Sequence, residues 1–599
     1  MNRYPGLELV LVLVTSLAVT ACGDDDDGAA GTGGAGGGAG GAATAGTGGT
    51  SGTGGESAGT GGADAGDGGA TAGSGGNGGD GGESAGTGGA DAGDGGATGG
   101  DGGAGGDGGN GGEAANIDSP LAINLASVTY YSRQWTFLDL TKMGGGWAYA
   151  ASPGPTDDEG WVLSGDVGLF LNTGLDGHYP GGRYLALYDG QADFFTRAII
   201  WDADGSEMNN DAVLNEALSA PGRAVLDITP SNSGFVLSYD NISASDPVRN
   251  LRIVHQDHEA TYADQIFHPR FIESIKRFRA LRFMDMMRTN GSTQSEWADR
   301  PLTSDALQGT DRGVALEYLV ELANQTRADP WFTIPHLASD DYVQKFAELV
   351  RDQLDPDLQV YVEYSNEVWN ASFEQYNHAQ SMGASAGLGS DRDAADRYYC
   401  RRSVEIFHIF QTAFDATGRQ GLVRVIASQN SPYWALRMMD WVDPTTGRRA
   451  IEEADAWAVA PYFCGNPSAD PGTVGDLLDA CQADIADTLA SAKEIGDAAR
   501  GYGVPLISYE GGQHIRNDGA SAAVQTIYDQ ANDDPRMGEL YTMYLDQWRD
   551  DGGQMFTLFS LISGQSVYGR WGILLAQDDF DYPKYQAAMD FITDNPAWW

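Results

Sequence analysis

Between Ser119 and the C-terminus, short apolar runs recur, and each ends in polar residues. They are LAINLA (121–126), ALRFMD (280–285), PWFTIPH (330–336), VYVEYSNE (360–367), VRVIASQ (423–429), AWAVAPY (456–462), PLISYE (505–510) and MFTLFS (555–560). Runs this short and this continuously apolar predict strands buried on both faces. Longer amphipathic stretches lie between most of them. Asp396–Phe414, for example, aligns Cys400, Phe407, Phe410 and Phe414 on one helical stripe. Phe271–Met287 reads as a helix leading into a strand. Residues 153–254 have a different texture: RYLALYDG, RAVLDITP and GFVLSYDN alternate with Gly, Pro, Asn and Asp and show little helical period.

Eight strands alternating with helices predict an α/β protein, a (β/α)8 TIM barrel. Its first strand region occupies 117–152 and its remainder 255–599. The segment 153–254 is expected to be an inserted β-sandwich-like subdomain after the first strand. A doubly wound open sheet would want a Gly-rich phosphate turn after its first strand, and LAINLASVTYY has none.

Composition separates the N-terminal part from the rest. About 45 of the 85 glycines fall between Gly23 and Asn116, a stretch without Lys or Arg. It buries too little apolar surface to offset its ordering entropy, so 22–116 reads as a disordered linker. GGESAGTGGADAGDGGAT occurs at 54–71 and again at 81–98; with no apolar face to stack, it is a duplicated spacer. A flexible chain of this length reaches roughly 50 Å. Before it, Arg3 and the apolar run Leu9–Val19 form an export signal over 1–21 that is too short to span a bilayer. The run closes Val19-Thr20-Ala21-Cys22 and four aspartates follow Gly23, a pattern that resembles the lipobox of bacterial lipoproteins. That resemblance implies acylation of Cys22 and attachment to a cell-envelope membrane, outer membrane foremost. An ordinary cleaved signal with an incidental cysteine is the alternative.

The formal charge of −49 repels phosphate backbones and argues against a nucleic-acid partner. It is indifferent to neutral ligands such as sugar polymers.

In a barrel of this type, chemistry sits at the C-terminal strand ends. The fourth strand ends Ser365-Asn366-Glu367, followed by Trp369, and the seventh ends Tyr509-Glu510. Two carboxylates at one barrel mouth suit glycosidic hydrolysis, where one protonates the departing oxygen and the other attacks or activates water. Asn-Glu ending strand four, with a strand-terminal Glu 143 residues later, resembles clan A of the glycoside hydrolases, the retaining (β/α)8 enzymes. The resemblance implies Glu367 as acid/base, Glu510 as nucleophile and Asn366 as ligand of the sugar 2-hydroxyl. It also implies Arg282 as support for the nucleophile, Tyr462 as its hydrogen-bond donor, and His336 as a cleft histidine. The clan's strand-eight tryptophan has no clean match: MFTLFS carries Phe559, and Trp571 comes a dozen residues later. A neighbouring carboxylate should raise the acid's pKa, and Arg282 should keep Glu510 ionised.

Each residue has a plainer reading. Glu367 and Glu510 are alternatively loop-capping acids, Arg282 a structural ion pair with Asp285 as an equal candidate partner, and His336 and Tyr462 ordinary wall residues. Glu363 shares the face of Glu367 one layer deeper, which suits a buried partner for a basic residue. Trp369, Tyr433, Trp434 and Trp571 are candidate sugar platforms or core, and His514 a candidate cleft residue. Trp598 and Trp599 are expected on the barrel's outside. His255, His258 and His268 lack a zinc ligand pattern, and Asp202, Asp204, Glu207 and Asp211 fit a solvated turn better than a calcium loop. No cofactor or metal is implied. In an exported protein Cys464 and Cys481 are expected to pair, leaving Cys400 a buried thiol.

Two function classes remain open on sequence. One is a surface-tethered retaining glycoside hydrolase acting on a β-linked polysaccharide or oligosaccharide. The other is a non-catalytic glycan-binding lipoprotein on the same scaffold, which has no need of both acids. No G-x-S-x-G elbow supports a serine esterase.

Overall fold

The computed structural model describes residues 115–599 apart from 148–153, 197–198, 201–206, 209, 466, 468 and 469. The expected signal, Cys22 and almost all of the linker lie outside the described residues, as do Asp202 and Asp204.

The eight apolar runs form one parallel sheet. Its strands are β1 (Leu121–Asn124), β2 (Ala280–Arg282), β3 (Asp329–Ile334), β4 (Val360–Tyr364), β5 (Leu422–Ala427), β6 (Ala456–Val459), β7 (Leu506–Ser508) and β8 (Phe556–Leu558). They neighbour one another in chain order from β1 to β7, and β8 pairs with β1. Hydrogen bonds from Gln554 N to Leu506 O and from Ser508 N to Met555 O close the ring between β7 and β8. The chain is a (β/α)8 barrel.

Strand alternation sorts the interior from the wall. Ala122, Ala280, Ala427, Ala456 and Ala458 face inward, where they leave room for Trp331, Tyr361 and Tyr509. Arg282 is fully buried among them. On β4, Val360, Val362 and Tyr364 pack outward against the helices, while Tyr361 and Glu363 face the axis. The helix Asp391–Asp415 lays Cys400, Phe407, Phe410 and Phe414 on that outer wall. Among the described residues, no helix is long and apolar enough to cross a membrane.

Between β1 and β2 the chain builds antiparallel sheets. One has four strands in the order 145–147, 167–171, 235–240 and 193–196; the other runs 249–255, 182–189, 223–228 and 212–214. Leu169 and Leu237 of the first share a core with Leu226 and Ile253 of the second. Phe137 bridges to Phe267, which brings this region back to the helix Pro269–Ile275 ahead of β2. Trp598 donates its indole N–H to Gly553 O, and Trp599 lies against Arg279.

Candidate functional site

Arg282 organises the mouth of the barrel. From the end of β2 its guanidinium donates to Glu510 Oε1 at 2.8 Å, Asn366 Oδ1 at 2.8 Å and Asn124 Oδ1 at 3.0 Å. Its Nε and Nη2 both reach Glu363 Oε2, at 3.2 and 3.0 Å. The rings of Trp331 and Tyr509 flank it, with centroids 5.5 and 5.1 Å away. One cation thus ties together the ends of β1, β2, β4 and β7. Asp285, the other candidate partner, makes no hydrogen bond to Arg282; it feels the charge at longer range.

Glu367 reaches this network by a turn and not by strand alternation. β4 ends at Tyr364, and Ser365 (φ 58°) and Glu367 (φ 41°) adopt left-handed backbone angles. Such angles cost about 1–3 kcal/mol in a residue with a side chain and persist where surrounding contacts over-determine them. Those contacts are present. Tyr509 donates to Glu367 Oε1 at 3.2 Å and Asn370 to Oε2 at 3.1 Å. Asn366, between the two strained residues, is fixed by Arg282 and by its own donation to Asn290. Gln375 braces the same turn by donating to Asn366 O and Asn290 Oδ1.

Glu510 is similarly fixed, since Tyr462 donates to its Oε2 at 2.9 Å. Burial nonetheless outweighs both donors and raises the Glu510 pKa above the usual carboxylate range. Arg282 still pulls in the expected direction, favouring the charged form of Glu510, while it also pairs with the buried Glu363. Glu363 is likewise raised by burial, against Arg282 and the Trp331 indole N–H. A third acid, Asp285, is pushed up to about 6 by burial and by the charge of Glu510.

The remaining cleft residues fall into three groups. Tyr462, His514, Phe559 and Trp571 form one wall: His514 lies 5.1 Å from Tyr462 and 5.7 Å from Trp571, which meets Phe559 edge-on. Trp571 reaches the end of β8 because its loop doubles back, with Ile573 N donating to Ser560 O. Trp369 stands on the Glu367 side, donating its indole N–H to the Tyr509 hydroxyl at 3.3 Å. Arg392 links Trp369 to Trp434, whose neighbour Tyr433 is 63% exposed on the helix Pro432–Asp440 and makes no hydrogen bond to either acid. His336 lies two residues past the end of β3 and packs on His378, without a hydrogen bond to Glu367 or Glu510. Burial lowers both His336 and His514 to about 4, and each keeps one ring nitrogen unpartnered.

Asn124, Tyr509, Asn370, Asn290 and Gln375 were not singled out from the sequence. Asn124 and Tyr509 had a usable signal, being polar residues at the ends of strands. Asn290 and Gln375 had none.

Cys464 and Cys481 are joined by a disulfide, and Cys400 is a buried thiol whose pKa burial pushes far up. Asp211 accepts from Tyr179, Ser231 N and Ser231 Oγ. Among the described residues, no three His, Cys, Asp or Glu side chains are placed to hold a metal ion. His255, for one, spends both ring nitrogens on Asp257 N and Gly181 O.

No family model matches the sequence, and no curated protein matches it either. Solved structures align with part of the chain. A GH51 arabinofuranosidase from Xanthomonas axonopodis pv. citri aligns over 54% of this chain and 66% of its own, just short of two thirds, at 13% identity and TM-score 0.34. Xylanase 10B from Thermotoga maritima aligns over 54% and 89%, at 12% identity and TM-score 0.29. A GH10 protein from Paenibacillus barcinonensis aligns over 54% and 92%, at 15% identity and TM-score 0.31.

Proposed function

We propose that this chain is a retaining glycoside hydrolase that cleaves a β-linked polysaccharide or oligosaccharide at a cell surface. One observation carries the reading: Arg282 binds Glu510 and Asn366 together, while Tyr509, the neighbour of Glu510, donates to Glu367. Two strand-end carboxyl groups thus belong to one preorganised network, as double displacement at an anomeric carbon requires.

Glu367 gives its proton to the glycosidic oxygen as that bond to the anomeric carbon breaks. Glu510 attacks the same carbon from the opposite face and forms a glycosyl ester. Water then attacks this carbon, Glu367 takes the water proton, and Glu510 leaves as carboxylate. Arg282 and Tyr462 hold one Glu510 oxygen each, so the nucleophile keeps its orientation through both steps. Trp571 and Phe559 offer an apolar face on the Glu510 side, and Trp369 offers one on the Glu367 side. The protein is tethered through acylated Cys22 and spaced from the membrane by its Gly-rich segment, with 153–254 as an inserted unit.

The test is a screen of mature protein against xylan, mannan, β-glucan, arabinan and aryl β-glycosides. Glu510→Ala should lose turnover at unchanged melting temperature. Glu367→Ala should keep activity on good leaving groups when azide is added. Near-wild-type activity in Glu510→Ala would remove the assignment.

A further inference from the structure

A cavity of about 350 Å3 lies away from the catalytic pair, between the antiparallel sheets and the barrel. Its walls come from the segment after β1 (Trp135), the inserted sheets (Asn172, Tyr184), the turn after them (His258) and the helix entering β2 (His268, Arg270). The volume sits at the lower end of the range for small-molecule sites, which pair apolar walls with a few polar groups. It holds one sugar unit more naturally than a chain.

Four of the lining side chains keep polar atoms without a partner in the protein, namely Trp135, His268, His258 and Asn172. The Trp135 indole N–H is buried and makes no hydrogen bond. His268 spends Nδ1 on Arg270 N, which leaves Nε2 as its N–H donor, and that donor has no protein acceptor. Burial and its neighbours hold this ring at a pKa of about 4, so it stays neutral over ordinary pH. The ring of His258 touches those of His255 and His268 but makes no hydrogen bond, and neither does the Asn172 amide, although Asn172 is only 7% exposed. Leaving a buried donor unpaired costs about 1–3 kcal/mol, so the Trp135 N–H is a group awaiting a ligand, and the His258, His268 and Asn172 polar atoms around the same cavity are free to share it.

Charge decides the ligand class. Arg270 lies over the Phe580 ring, Asp578 is paired with His178 and Asp257 faces His255. One cation against two carboxylates gives no net attraction for an anion. His255 has no lone pair to spare, and no three His, Cys, Asp or Glu side chains among the described residues are placed for a metal. What remains is uncharged donors and acceptors beside aromatic walls. That chemistry fits a ring with apolar C–H faces and hydroxyl groups that both give and accept hydrogen bonds.

We propose that this cavity is a second, non-catalytic site for one neutral sugar unit. The proposal shares only a ligand class with the cleft and stands even if the cleft proves inactive. The test uses full-length protein carrying Glu510→Gln, so that bound glycan is not consumed. Binding of soluble xylan, glucomannan, arabinan and galactan, and of their tetrasaccharides, is measured by affinity electrophoresis and calorimetry. Trp135→Phe keeps the ring and removes the N–H; His258→Ala alters only a half-exposed turn. At least one probe should bind, and each substitution should weaken it about tenfold, the loss expected from one buried hydrogen bond. In otherwise wild-type protein the same substitutions should leave aryl-glycoside hydrolysis within about twofold. Absence of binding to every probe, or binding that folded Trp135→Phe and His258→Ala both leave intact, overturns the second site. Loss of hydrolysis in Glu510→Ala speaks to the cleft alone.

Discussion

Glu363→Gln isolates the electrostatics of the site from its geometry. Three donors converge on Glu363 Oε2, namely Arg282 Nε, Arg282 Nη2 and the Trp331 indole N–H, while Oε1 is buried with no partner. A glutamine can place its carbonyl oxygen where Oε2 stands and its amide where Oε1 stands. All three hydrogen bonds survive, the position that lacked a partner still lacks one, and a buried charge is removed. The fold should tolerate the change, with the melting temperature moving little. Glu510 loses a like-charged neighbour. Carboxylates on two sides of one guanidinium stand roughly 6 Å apart, and at an effective dielectric of about 20 they repel by about 3 kcal/mol, or about 2 pH units. The two acids titrate as a coupled pair around one cation, so we expect about one to two units. The assay is kcat/KM on an aryl β-glycoside as a function of pH. Its acidic limb, which reports ionisation of the nucleophile in the free enzyme, should move down by that amount with the plateau nearly unchanged. An acidic limb that stays in place in a folded variant would refute the reasoning, because Glu363 and Glu510 would then not be competing for one cation.

Asp285→Asn should act in the same direction through a different neighbour. The repulsion that helps raise Asp285 to about 6 is mutual, so its removal should lower the acidic limb by about half a unit to one unit. His336 tests stability: its folded pKa of about 4 lies below the unfolded value near 6.5, so between those values the unfolded chain binds the extra proton and stability falls as pH falls. Denaturant unfolding at pH 7.5 and 4.5 should show His336→Gln losing about 2.5 kcal/mol less than wild type over that interval; equal losses would show that the ring takes up its proton in the folded state. Labelled palmitate should attach to wild type and not to Cys22→Ser, and labelling of both would place the acyl group elsewhere.

The barrel was legible because each strand is a short apolar run and strand ends are where the chain turns polar. The inward alanines of β6 and the tyrosine and glutamate of β4 follow from alternation alone. Glu363 as a buried partner for a basic residue was legible for the same reason. How Glu367 arrives was not, since alternation stops at Tyr364 and two left-handed residues re-aim the chain. No residue type at those positions announces such a turn. Trp571 lies a dozen residues past the strand, so the sequence offers no clean match for a strand-eight tryptophan. Spacing along the chain says nothing of a loop that folds back through Ile573 N and Ser560 O to set that ring against Phe559. The pairing of Arg282 with Glu510 was visible in the sequence, but its simultaneous pairing with Glu363 depends on depth in the barrel.

The central claim is that Glu510 becomes covalently bonded to an anomeric carbon. A glycoside with fluorine at carbon 2 and a good leaving group slows both steps but the second more, so the glycosyl ester accumulates. Protein inactivated with such a reagent, matched to the sugar the screen identifies, should gain one glycosyl mass. Peptic peptides should place it on Glu510, and Glu367→Ala should take up the same label with a good leaving group. A label on any other residue, or turnover that releases the inverted anomer with no label at all, would contradict the account.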